Sequence, residues 1–260
     1  MQETIIQNGM HLPALAYGAL ALAGFSAGFV DAIAGGGGLI SLPALLAAGL
    51  PPHLALGTNK LQAGLGTSVA AANYARRGLL AGREVPLGAA CTAVGALAGA
   101  AFVSHLPSAW LARVVPWLLV AIFIHVARAR RFGAAAGRAR VGATGFSIGG
   151  GLILGFYDGF FGPGTGSFWT LGFVALRGFA LPQATAHTKV MNLTSNAVAL
   201  AWFAREGDVA WRLGLGIAAA NIAGAAAGSS LAIEKGARLI RAVFLLAVAA
   251  TLAHLAWRSL

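Results

Sequence analysis

GFVDAIAGGGG, Gly28 to Gly38, and GFYDGFFGPGT, Gly155 to Thr165, are two versions of one phrase, 127 positions apart. Each sets an aspartate, Asp31 or Asp158, ahead of a glycine-rich break, and a short apolar run follows each break. Downstream, LALGTNKLQ (Leu54 to Gln62) matches QATAHTKVM (Gln183 to Met191) at an offset of 129, which pairs Lys60 with Lys189. YARRG (Tyr74 to Gly78) meets FAREG (Phe203 to Gly207) in that same register. Self-similarity of this kind marks an internal duplication, and in an apolar chain it points to a carrier built from two related halves.

The hydropathy pattern runs outward from these phrases. Long apolar runs lie at Leu12 to Ile33, Leu54 to Ala75, Val85 to Ser104 and Ala109 to Ala127, with a shorter one, Leu39 to Gly49, after the first glycines. The same order returns as Val141 to Tyr157, the short Ser167 to Leu176, then Ala186 to Ala204, Leu213 to Ile233 and Ala237 to Trp257. The long runs approach the ~20 residues a membrane helix needs. The 11 residues of Leu39 to Gly49 would rise only ~16 Å as a helix, about half the hydrocarbon thickness. The predicted fold is therefore an all-α polytopic integral membrane protein. It has a first transmembrane repeat over 1–127, a basic cytoplasmic loop over 128–140 and a second repeat over 141–260. Each repeat has five segments, giving 8 to 10 membrane segments with two short half-helices after the glycine loops.

Composition excludes the soluble classes. Of 260 residues, 58% are hydrophobic and 10% charged, against about 25% charged in an ordinary soluble domain. The 37 glycines are scattered through apolar segments without a collagen period. The net charge of +11 comes from 18 Lys+Arg against 7 Asp+Glu. The arginines stand mostly in short breaks between apolar runs, which reads as membrane topology and not as a nucleic-acid surface. The stretch RARRFGAAAGRAR, Arg128 to Arg140, has five arginines and no acid and is the expected cytoplasmic anchor. MQETIIQNGM has no Lys or Arg before the first apolar run, so it lacks the basic start of a cleaved signal peptide, and the first hydrophobic stretch is expected to stay in the mature protein.

The short runs decide orientation. If they are re-entrant, each half crosses four times and the halves are parallel; if they cross, each half has five segments and the halves are inverted. With the arginine loop inside, inversion leaves Arg113, Arg205, Arg212 and Arg258 outside, Lys60 and Lys189 in the membrane, and the other 12 of the 18 Lys+Arg inside. That distribution and the uncharged start favour inverted repeats.

A small repeated polar set remains. The loops Gly35, Gly36, Gly37, Gly38 and Gly162, Gly164, Thr165 expose backbone that cannot face lipid, so both should line a protein cavity. Amides at a helix start favour anions. Isolated glycines such as Gly95, Gly99, Gly224 and Gly228 fit close helix packing instead. Lys60 and Lys189 lie inside apolar runs, and Lys189, Asn192 and Asn196 share one helix face, with Lys60, Ala63 and Thr67 as the less polar copy. Ammonium and neutral donors together suit a small anion. Asp31 and Asp158 are candidates for a coupling proton, because loss of water disfavours the charged carboxylate. The competing reading makes them helix-end caps or partners that neutralise a lysine. His187 matches Thr58, which speaks against a symmetric metal or proton site, and leaves substrate donation or packing.

Metal and nucleotide chemistries find no motif. The six histidines have no i, i+4 pair and Cys91 is the lone cysteine, so neither a metal site nor any other cofactor is expected. No P-loop occurs.

GFVDAIAGGGGLISLPALLAAGLPPHLALGTNKLQ, with its echoes GFYDGFFGPGTGSFW and HTKVMN, resembles the TauE/SafE sulfite exporter family, also called the toluene-sulfonate uptake permeases. The resemblance covers about Leu12 to Leu260, and its first half is most like the family's broad uncharacterised branch. It implies a secondary carrier of the bacterial inner membrane that moves sulfur oxyanions or organosulfonates. Residue by residue it falls on Gly35 to Gly38, Asn59, Lys60 and Gln62, and on Gly162, Gly164, Thr165, His187, Thr188, Lys189 and Asn192. The expectation is thus a small-anion transporter working by alternating access, with the lipid bilayer, a coupling proton and a second copy of the chain as candidate partners. The alternatives are an anion channel and a membrane scaffold or assembly protein without transport.

Overall fold

The computed structural model describes residues 13–80, 82, 84–128 and 137–235. Among these it is helical throughout, without strands. The helices are α1 Ala14–Ala34, α2 Gly38–Ala47, α3 Pro52–Arg76, α4 Glu84–Ser104, α5 Ser108–Arg128, α6 Ala143–Phe160, α7 Thr165–Arg177, α8 Leu181–Glu206 and α9 Trp211–Lys235. Residues 129–136 of the basic loop and the predicted run Ala237 to Trp257 lie outside the described residues.

Local chemistry sets the boundaries. Pro52 takes the first position of α3, where a missing N–H costs nothing. Gly35 and Gly207, in the left-handed region, end α1 and α8. The two predicted short segments are the short helices α2 and α7, of 10 and 13 residues. At 1.5 Å per residue they rise roughly 15 and 20 Å, less than the ~30 Å hydrocarbon core. α8 begins at Leu181, five residues before the predicted Ala186, because the stretch through Thr185 is helical although it is not continuously apolar. By length and composition, α1, α4 from Val85 onward and α9 are apolar enough to cross a membrane. α3 and α8 are equally long, at 25 and 26 residues, but carry the polar residues of the centre.

Packing runs between the two parts of the sequence. α1 lies along α9, α6 lies along α4, and α3 and α8 meet in the middle. The glycines assigned to packing permit these contacts. A Cβ on Gly224 would sit 2.0 Å from the Phe25 carbonyl oxygen, and one on Gly99 2.1 Å from that of Phe156. Large apolar side chains face outward, with Leu15, Leu22, Trp117 and Ile153 mostly exposed. The buried polar residues include Lys60, Gln62, Asp158, Lys189, Asn192 and Asn221. Apolar outside and polar inside is the reverse of a soluble domain and suits a lipid surround.

Candidate functional site

The site forms where α1 and α6 end, each in its glycine loop, against the middle of α3 and α8. Lys60 of α3 reaches across to α6 and donates to Asp158 Oδ1 at 2.7 Å and to the Asp158 main-chain oxygen at 2.6 Å. Lys189 of α8 reaches to α1 and donates to Asp31 Oδ2 at 2.9 Å and to the Asp31 main-chain oxygen. Both lysines are fully buried, at 1% and 0% exposure. Their targets belong to the last turns of α1 and α6, where the helix dipole favours a cation; the Asp31 carbonyl also accepts from the Gly35 N–H at 2.9 Å. Each lysine thus both neutralises an aspartate and caps a helix end.

The glycine loops cross each other at this point. A Cβ on Gly35, where φ is +76°, would lie 2.5 Å from the Gly166 carbonyl carbon, and one on Gly166 would lie 2.6 Å from Gly35 Cα. Backbone meets backbone there, and no side chain fits between. The Ser167 hydroxyl fixes the crossing by donating to the Ala34 carbonyl at 3.1 Å. Gly162, at φ +100°, lets the second loop pass the Lys60–Asp158 pair, since a Cβ there would lie 2.8 Å from Lys60 Nζ.

Around the two pairs the surroundings differ. Beside Asp31, Asn221 Nδ2 donates to Gln62 Oε1 at 2.6 Å, Gln62 Nε2 donates to Asn59 Oδ1 at 2.8 Å, and the Ser41 hydroxyl donates to the same Asn59 oxygen at 2.6 Å. The Gly37 N–H and the Thr67 hydroxyl approach the Asp31 carboxylate at 3.4 Å each. Beside Asp158, the Ser195 hydroxyl donates to Oδ2 and Lys60 holds Oδ1. The donors that the sequence assigned to an anion, loop amide and lysines, are here directed at carboxylate oxygens. This geometry fits the reading of the aspartates as lysine partners.

A family model described as sulfite exporter TauE/SafE matches residues 20–255 of the chain. The chain belongs to the TauE/SafE sulfite exporter family. Among TauE/SafE relatives, a probable membrane transporter protein, ORF9, from Sinorhizobium sp is 44% identical over 222 residues, 85% of each chain. The probable membrane transporter protein YfcA of Escherichia coli K12 is 40% identical over 245 residues, 94% of this chain and 91% of its own. One from Haemophilus influenzae is 41% identical over 218 residues, 84% of this chain and 86% of its own. No solved structure matches. Together with the apolar helices, membership makes this TauE/SafE chain a multi-pass membrane protein of a transporter family.

The remaining predicted residues divide. Asn59, Lys60, Gln62 and Lys189 gather at the centre with Gly35, Gly37 and Gly162. Asn192 stands against Gly166 and its Oδ1 is buried without a hydrogen-bond partner. Gly36 has room around it, with the nearest atom 3.9 Å from an added Cβ. Gly38 faces Pro163, and Gly164 supplies the left-handed turn before α7. The Thr165 hydroxyl closes its own loop on the Gly162 carbonyl at 2.7 Å, and Thr188 pairs with Thr170 at 3.0 Å. His187 turns to an aromatic cluster instead, 4.9 Å from the Phe179 ring and 5.5 Å from that of Phe173, with Nδ1 2.8 Å from the Gln183 carbonyl. Ser41, Ser195 and Asn221 were not singled out by the sequence. The signal was there: Asn221 is an amide in an apolar run, and such residues are costly in a membrane unless they act on something.

Proposed function

We propose that this chain is a secondary carrier of small oxyanions, of the sulfite or organosulfonate type, in the inner membrane of a bacterium. Two inverted five-segment repeats, 1–127 and 141–260, would expose the central site to either side in turn. The observation that carries this reading is the pair of buried lysines, Lys60 and Lys189, each set beside a glycine loop and each held by a carboxylate. A carboxylate is itself a small oxyanion, so donors that satisfy Asp31 and Asp158 have the chemistry to satisfy a substrate of the same kind.

The ion pairs also support a route for anion entry. While both aspartates are ionised the two pairs are neutral and offer an anion no net attraction. A proton on an aspartate leaves its lysine cationic, and an oxyanion then restores neutrality. Proton and anion would bind together, which is the logic of a proton-coupled carrier. In reconstituted vesicles, sulfite and simple sulfonates should move, and Lys60→Ala and Lys189→Ala should each reduce flux at least tenfold. Undiminished flux in both variants would remove the lysines from the site. Substrate on the far side should accelerate exchange, since counterflow separates a carrier from an anion channel.

A further inference from the structure

We propose that Asp31 alone takes up the coupling proton, through an internal site that holds one water, and that Asp158 stays ionised as a fixed anchor for Lys60. This assignment rests on the carrier reading above and refines it. The two pairs look alike in sequence, but they differ in access. The Asp31 side chain is 21% exposed and that of Asp158 5%. Asp31 borders a cavity of about 20 Å³, and roughly 10–15 Å³ is enough for a water with polar partners. Gln62, Thr67, Ser41 and Asn221 line the same cavity and can supply those partners. An oxyanion does not fit such a volume, so this is a site for water and proton and not for the substrate.

Side-chain size sets the surroundings of the two aspartates apart. In the register that aligns Lys60 with Lys189, Ala63 corresponds to Asn192 and Gly66 to Ser195. Ala63 and Gly66 line the cavity beside Asp31. The corresponding residues of the second half, Asn192 and Ser195, are larger, and the Ser195 hydroxyl donates directly to Asp158 Oδ2. Gln62 corresponds to Met191 and Asn221 to Thr92, so an amide pair at 2.6 Å is replaced by a hydroxyl 3.6 Å from a sulfur. Asp158 therefore sits in a drier setting, with both oxygens engaged by donors of the protein itself.

The titratable groups facing Asp31 are Lys189 from α8 and Tyr74 from α3, whose hydroxyl donates to the Ala32 carbonyl at 3.0 Å. α2 carries none, and those of α7 and α9 lie at the helix ends. The proton would pass from the cavity water to a carboxylate oxygen of Asp31, Lys189 would remain protonated, and the pair would change from neutral to singly positive.

Infrared difference spectra between alkaline and acidic pH, taken on the full chain in lipid vesicles, test this without any substrate. Other carboxyls among the 7 Asp+Glu also protonate on acidification, so the C=O signal is compared between variants: Asp31→Asn should lose a component that the wild type and Asp158→Asn both show. Ala63→Asn, which leaves both ion pairs intact and fills the cavity, should lower the proton affinity about tenfold, one pH unit. The proposal is overturned if Asp31→Asn loses no carboxyl component, if Asp158→Asn loses that component, or if Ala63→Asn titrates like the wild type. Anion flux in the same vesicles is scored separately: proton uptake at Asp31 without flux defeats the carrier reading and leaves this assignment standing.

Discussion

Lys60 and Asp158 stand 98 residues apart in the chain and 2.7 Å apart in space, and Lys189 and Asp31 repeat the arrangement in reverse across 158 residues. Neither lysine pairs with the aspartate of its own sequence phrase. Each pair ties together one glycine-loop helix and one long polar helix from different parts of the chain. The two pairs act as cross-links through the centre of the molecule, at the place where a carrier's halves would have to part.

Breaking one partner should cost more than removing both. Asp158→Ala leaves Lys60 charged and buried, and losses of about 3–5 kcal/mol are usual when a buried pair loses one member. Adding Lys60→Met to that variant should recover at least about 1 kcal/mol, the scale of coupling between residues in contact. A double-mutant cycle on unfolding in detergent measures this, and additive effects would show that the pair is not a unit.

The same pairing shows how far the sequence could be read. The duplicated phrases, the half-length helices and the candidacy of the lysines and aspartates follow from residue types and spacing. Which lysine meets which aspartate does not, because an offset of 127 or 129 relates equivalent positions and says nothing of contacts. The crossing of Gly35 over Gly166 is hidden for the same reason. For His187 the sequence leaves substrate donation and packing both open; two residues from Lys189 along the helix its side chain turns to a different face, and the ring packs on Phe173 and Phe179.

That crossing makes the glycines unequal. Gly35→Ala and Gly166→Ala both force a Cβ to about 2.5–2.6 Å from the opposing loop's backbone, and Gly35 also needs its positive φ. Each should destabilise by about 1–3 kcal/mol, the range for overpacking, and reduce flux. Gly36→Ala meets nothing closer than 3.9 Å and should be neutral or gain up to about 1 kcal/mol through the unfolded chain. Thermal midpoints of the three variants decide it; equal losses would mean that the crossing imposes no tight contact.

His187 should matter for packing and not for proton coupling. Its replacement by Gln removes two ring contacts, each worth about 0.5–1.5 kcal/mol, so the melting temperature should fall. The pH profile of transport should keep its shape. A shifted or flattened profile in His187→Gln would instead make the imidazole part of the proton path.

Opening the space at Asp158 should convert it into a second proton site. Ser195→Gly restores there the residue found at Gly66 and deletes the hydroxyl that donates to Asp158 Oδ2. The vacated volume admits water beside the carboxylate in place of that hydroxyl. Lys60 still holds Oδ1 at 2.7 Å, so the helix-end contact survives. The variant should show a second carboxyl C=O band on acidification, one that persists when Asp31→Asn is added. Absence of the second band, in a protein that folds and keeps the Asp31 signal, would mean that side-chain volume is not what separates the two aspartates.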